Sequence, residues 1–103
     1  MKYVWNEDKN RLNIKQHGIA FKDAVKIFEG ETIEQEDNRF NYGEVRIYAI
    51  GVINGLEIAV IYTDTDNNER RIISARRAEP HERRYYWKNR NEFWKRHRLG
   101  KIA

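Results

Sequence analysis

Two adjacent arginines, Arg76 and Arg77, close the strand-like run "RRIISARR" at 70–77, and Arg83 and Arg84 follow just past Pro80. A guanidinium is planar, permanently charged and matches phosphate oxygens bidentately, so arginines gathered at a strand end are suited to grip a phosphate. Side chains alternate across a sheet. Regular alternation puts Ile73 and Ala75 on one face and Ile72, Ser74 and Arg76 on the other. Arg77 falls at the junction with the next helix, so the two arginines leave the sheet on diverging vectors beside a helix N-terminus, where free N–H groups favour anions. The competing reading is internal: one of the pair caps a loop or pairs with Glu79 or Glu82.

A second cluster precedes them. Lys9, Asn13 and His17 are spaced i, i+4, i+8, within about 80° of one helical face. An imidazole exchanges protons near neutral pH, which makes His17 a candidate general acid or base; an ordinary solvated helix face is the alternative. His81 and His97 have no metal-ligating neighbour at helical or hairpin spacing, and no metal site is expected. Asp64 and Asp66 resemble the start of a calcium loop, but the glycine and terminal glutamate of that loop are missing. Aromatic and basic residues interleave from Tyr85 to Arg98, a mixture that can stack bases while neutralising phosphates, or can pack its rings onto a core. There is no glycine-rich phosphate loop and no dinucleotide fingerprint, and no cofactor is expected.

The elements that must position these groups follow from capping, periodicity and turn chemistry. "KYVW" at 2–5 reads as a short strand. Asn6 is placed to cap a helix from about Glu7 to Gln16, which Gly18 ends in a left-handed turn. Phe21, Ala24, Val25 and Phe28 at i, i+3, i+4, i+7 form the apolar stripe of a second helix, with Gly30 as its stop. "TIEQE" at 32–36 is a short strand and 37–43 a polar loop. "VRIYAIGVI" at 45–53 and "LEIAVIYT" at 56–63 flank Asn54-Gly55, the dipeptide of a tight type I′ hairpin. Residues 70–76 are the last strand, and Pro80 suits the first turn of a helix running from about His81 into the 90s. The order β-α-α-β-β-β-β-α predicts an α+β domain with a small antiparallel sheet, two N-terminal helices and a C-terminal helix.

Composition bounds the function. The 103 residues suit a single domain, and 40% hydrophobic residues support one core. Without cysteine the chain has neither a disulfide nor a thiolate nucleophile. No apolar run approaches the roughly 20 residues of a membrane helix, no signal-peptide stretch opens the chain, and a cytoplasmic protein is expected. The net charge of +4 is unevenly spread: residues 1–69 hold 8 Lys and Arg against 13 Asp and Glu, whereas residues 70–103 hold 12 against 3. A local balance of +9 suits a polyanion or an acidic partner.

Two segments, "VWNEDKNRLNIKQHGIAFKDAVKIFEG" and "RRIISARRAEPHERRYY", resemble the two signature blocks of the BrnT toxin family. The resemblance covers roughly residues 3–87. It implies a RelE-like fold and a bacterial ribonuclease toxin of a type II toxin–antitoxin system, one that arrests translation. It also implies neutralisation by a BrnA-like, DNA-binding antitoxin in a hetero-oligomer, with operator DNA bound only through that antitoxin. By matching position, the motif residues are Lys9, His17, Arg76, Arg77, Glu82, Arg83 and Tyr86. Ala20 departs from the pattern, standing where many relatives have a Ser or Thr cap. Residues 88–103 extend beyond the family block as a basic extension of the single domain.

Metal-independent RNA cleavage needs a grip on the phosphate and two proton transfers. Arg76 and Arg77 are assigned to the phosphate, with Lys9 or Arg83 adding charge. His17 is the candidate acid or base, and Glu82 is either a second base or a residue that orients Arg76. Arg83, Tyr86 and Arg46 are candidate RNA contacts. The alternative is a module without catalysis, which grips RNA or docks an acidic partner through its basic C-terminal helix.

Overall fold

The computed structural model describes residues 1–39, 41 and 43–89. Strand β1 (Lys2–Val4) leads into helix α1 (Glu7–His17). Asn6 caps α1 as its composition predicts: its side chain accepts from the Lys9 N–H, and Glu7 and Asp8 occupy the positive end of the helix. Gly18, at φ 72°, ends it in the left-handed conformation.

The second helix differs from its expected form. Helix α2 spans only Phe21–Ala24, and the chain then tightens into a 3₁₀ turn over Val25–Glu29. The apolar stripe shifts with it: Phe21, Ala24 and Ile27 are buried against the sheet, whereas Val25 and Phe28 of the expected stripe are only half-buried. Ala20 offers no side-chain cap to α2. The Asn10 side chain on α1 supplies one instead, its Oδ1 accepting from the Phe21 N–H at 2.9 Å.

Strands β2 (Ile33–Glu36), β3 (Ile47–Ile53), β4 (Leu56–Asp64) and β5 (Glu69–Arg77) complete a five-stranded sheet of order β1-β5-β4-β3-β2. The β3–β4 hairpin turns at Asn54 and Gly55, both with positive φ, as that dipeptide predicts. All neighbours are antiparallel except β1, which lies parallel to β5 at one edge. A third helix, α3, covers residues 80–89. The expected extension of that helix, and the aromatic repeats at Phe93 and Trp94, lie outside the described residues.

One sheet face carries α1, α2 and the main core: Phe21, Ala24, Ile27, Ala49, Ile58, Val60, Tyr62, Ile72 and Ala75. The 3₁₀ turn comes so close to β3 that a Cβ at Gly51 would meet the Ile27 Cβ at 2.6 Å. The opposite face is covered by α3 only at one end, where Tyr86 packs with Ile50 and Ala78. Among the described residues, the remainder of that face is open.

Helix α1 buries asparagines rather than aliphatics on its sheet side. Asn13 acts as a two-way clamp on β5, donating from Nδ2 to the Ala75 carbonyl at 2.8 Å and accepting at Oδ1 from the Ala75 N–H at 3.1 Å. Its Nδ2 also donates to the Ile19 carbonyl, so one side chain ties α1, the turn after it and the last strand together. Buried polar groups of this kind persist because their partners are complete.

Strand β5 corrects the simple alternation expected of it. Ser74 pairs with Ile61 and Ile72 with Tyr62, which leaves Ile73 as an extra, bulged residue. Ile72 therefore joins Ala75 in the helix-side core, contrary to the expectation that Ile73 would. The phase of every residue before Ile73 is reversed.

Candidate active site

The open face holds a hollow of about 790 Å³. Its floor is Ile33, Tyr48, Ile50, Ile61 and Ser74, and the 37–39 loop closes one side. At the other end stand Arg76 from β5 and His81, Glu82 and Tyr85 from α3.

Glu82 organises that end. It is only 8% exposed, and its carboxylate takes four hydrogen bonds. Arg76 donates twice, from Nη1 to Oε1 at 2.7 Å and from Nη2 to Oε2 at 2.9 Å. The Glu79 N–H donates to Oε1 at 2.7 Å, and the Tyr48 hydroxyl donates to Oε2. The bond from Glu79 has a local origin: Pro80 opens α3, so Glu82 sits at its third position, where a glutamate reaches back to the capping residue's N–H. A carboxylate has about four acceptor sites, and here all are occupied. Of the two roles expected for Glu82, this geometry fits the orientation of Arg76 better than proton abstraction.

Arg76 itself is not consumed by the pair. Two of its five N–H groups meet Glu82, Nη1 reaches the Arg77 carbonyl at 3.2 Å, and a third of the side chain remains exposed to the hollow. Ser74, Tyr48 and His81 line the same hollow. Tyr85 is 52% exposed and offers a free ring surface at the rim. His81 is exposed and lies 3.6 Å from the Glu79 carboxylate.

The structure does not bring the other sequence candidates to this end. Arg77 is exposed and points to the opposite side of β5 from Arg76, as alternation requires; its charge instead contributes to holding the Glu57 carboxyl low, after the Trp87 indole N–H bond and the charge of Arg83. His17 is exposed at the end of α1, on the helix-covered side of the sheet. Lys9 lines a separate hollow of about 390 Å³ at the β1 edge. Arg83 spends one N–H on the Ala78 carbonyl. Tyr86 is buried to 1% exposure with its hydroxyl on the Glu31 carbonyl, so it is a packing residue and its ring is not available to RNA. Arg46 lies at the start of β3, bonded to Glu44. Sequence reasoning did not single out Tyr48, and it set His81 aside as the weaker histidine, at a helix start where the dipole disfavours its charged form. Tyr48 carries no local signal, because what matters is its register opposite Gln35 and Ile61 and its reach to Glu82, 34 residues away.

Among the described residues, no three His, Asp or Glu side chains converge as a ligand set for a metal ion. Nor is any helix among them long and apolar enough to cross a membrane.

Comparison with known proteins decides the family. The model of the family described as "Ribonuclease toxin, BrnT, of type II toxin-antitoxin system" matches residues 5–82. The chain belongs to the BrnT family. A crystal structure of the Brucella abortus ribonuclease toxin BrnT is 32% identical, with a TM-score of 0.60 over 77% of this chain and 97% of the other. No curated protein sequence matches it. The BrnT match ends at Glu82, so the buried carboxylate and both strand-end arginines fall inside it, whereas Tyr85 and the rest of α3 lie beyond.

Proposed function

We propose that this chain is an endoribonuclease toxin that cleaves RNA without a metal at the Arg76 end of the open hollow and thereby arrests translation. The observation that carries the reading is the Arg76–Glu82–Tyr48 arrangement: a guanidinium held bidentately by a saturated carboxylate, a third of it exposed at the wall of a hollow of about 790 Å³. Held in this way, Arg76 needs little reorganisation to meet charge that develops on a phosphate. Preorganised groups of this kind are worth on the order of 10²–10³ in rate.

The step is an in-line attack of a ribose 2′-oxygen on the adjacent phosphorus. The 2′-OH proton leaves, the P–O5′ bond breaks, and the 5′-oxygen is protonated, giving a 2′,3′-cyclic phosphate and a 5′-hydroxyl. Arg76 neutralises the phosphoryl oxygens. We assign proton transfer to His81, the one imidazole that lines the hollow among the described residues. Tyr85 supplies a stacking surface for a base.

The partner is a BrnA-like antitoxin that covers the same hollow, with operator DNA bound through the antitoxin alone. The chain acts as one domain in the cytoplasm, residues 88–103 forming its basic extension. Induced expression should halt growth and degrade RNA, and co-expression of the antitoxin should restore growth. A protein that shifts RNA mobility and leaves the RNA intact would instead be a binding module.

A further inference from the structure

The bulge at Ile73 has a consequence for charge. Arg71 and Arg76 are five residues apart, an odd spacing that puts side chains on opposite faces of a regular strand. The extra residue reverses the phase between them. Ile72 and Ala75 both enter the helix-side core, and Arg70 lies on that side over the rings of Tyr62, at 4.0 Å, and Phe28, at 4.7 Å. Arg71 is thereby turned onto the open face with Ser74 and Arg76.

At the β1 edge Arg71 shares a hollow with Lys9, which comes from α1 on the other side of the sheet. That hollow is lined from both sides of β5, by Arg71 and Ile73 and by Ile72, with Trp5 and Lys9 across the edge. Arg71 reaches Glu44 through Nη2 alone, at 2.7 and 2.8 Å, so Nη1 and Nε remain, and 43% of the side chain is exposed. The Lys9 ammonium is exposed and has no hydrogen-bond or ion-pair partner among the described residues. Arg46 also pairs with Glu44. Bonds from Arg46 and then Arg71 hold the Glu44 carboxyl below its ordinary range. Two arginines thus share the Glu44 carboxylate, and Lys9 faces Arg71 across the edge hollow.

We propose that Lys9 and Arg71 form a second phosphate subsite, which holds the backbone of single-stranded RNA away from the bond being cut. It rests on the reading of the larger hollow as the RNA site. At about 3.3 Å per residue, Arg71 and Arg76 lie up to roughly 17 Å apart along β5, the reach of a few nucleotides. The bulge aligns the two cations on one face, so a strand engaged by Arg76 runs along β5 to the edge hollow. Lys9, a candidate for chemistry by its helical spacing, becomes a binding residue.

The test uses the full chain and uncleavable 2′-O-methyl oligonucleotides of two and six nucleotides, with affinity measured across a salt series. Wild type should bind the longer one several-fold more tightly than the shorter. Lys9→Ala and Arg71→Gln should each remove most of that gain, and each lost contact should lower the salt slope by about 0.7. Lys9→Ala touches no internal ion pair and guards against a folding artefact from freeing Glu44. If both variants keep the length gain and the wild-type slope, the subsite is refuted. Cleavage of ordinary RNA by Arg76→Ala separates the two claims. An inactive Arg76→Ala beside silent Lys9 and Arg71 variants removes only the subsite, whereas an active Arg76→Ala removes the reading beneath it.

Discussion

Glu82→Ala deletes a carboxylate that four donors share. The Arg76 guanidinium loses both carboxylate contacts, the Glu79 N–H loses its acceptor at the start of α3, and the Tyr48 hydroxyl is left against a largely apolar floor. Hydrogen bonds to a charged group are worth about 1.5–3 kcal/mol each, and unpairing one member of a buried ion pair costs about 3–5 kcal/mol. The four do not add, because they end on one group. A third of the Arg76 side chain already reaches solvent, which lowers the penalty of unpairing it. A loss of about 3 kcal/mol is expected, equivalent to a fall in Tm of about 12–24 °C for a domain of this size. Glu82→Gln keeps the reach and two acceptor contacts but turns an amide N–H₂ toward Arg76 Nη2, so about 1–2 kcal/mol is expected. Thermal unfolding followed by circular dichroism reads both variants, and RNA cleavage well below Tm reads function. A Glu82→Ala protein melting within about 2 °C of wild type would refute the four-donor account. A Glu82→Gln protein that is stable yet inactive would return Glu82 to the role of base.

Asn13→Ala leaves the Ala75 N–H and carbonyl without their side-chain partner inside the α1–β5 contact, and urea unfolding should register a loss of about 2–4 kcal/mol. Gly51→Ala forces its methyl group into Ile27, and a cost of about 1–3 kcal/mol should appear in the same measurement. Burial, reinforced by its bond to Glu34, raises the Tyr62 hydroxyl above its ordinary pKa, so the folded state favours the protonated form. Stability from this group is complete below the ordinary tyrosine value near 10 and declines as pH rises above it. A pH series of unfolding midpoints should show that decline, and Tyr62→Phe should flatten it.

Much of the fold was legible because its signals are local. Asn6, Gly18 and Asn54-Gly55 act within a few residues of themselves, and each ends or turns an element where expected. The apolar stripe at Phe21–Phe28 located the second helical segment but not its break at Ala24, after which Ile27 packs closely on Gly51, a contact distant in sequence. The parallel pairing of β1 with β5 and the asparagine clamp depend on partners more than 60 residues away, and no spacing along the chain reports them. The site was legible in part. Arg76 and Glu82 carried their charges and the helix-start position of Glu82 in the sequence, and their pairing was one of the readings weighed. The grouping of Arg76 with Arg77 did not take shape, because adjacent residues in a strand face opposite ways. His17 sat at a favourable helical spacing, yet α1 covers the opposite side of the sheet. The bulge at Ile73 left no mark in the sequence, and it decides which face receives Arg71.

The central claim is that Arg76, braced by Glu82, is the group that stabilises the phosphate during RNA cleavage. Its most direct test is the rate at which purified wild type and Arg76→Ala cut a defined RNA in the presence of EDTA, with the product ends identified and folding checked by circular dichroism. The account predicts 2′,3′-cyclic phosphate and 5′-hydroxyl ends from wild type, and a folded Arg76→Ala protein slower by about 10²–10³. A folded Arg76→Ala protein that cuts at the wild-type rate would contradict it.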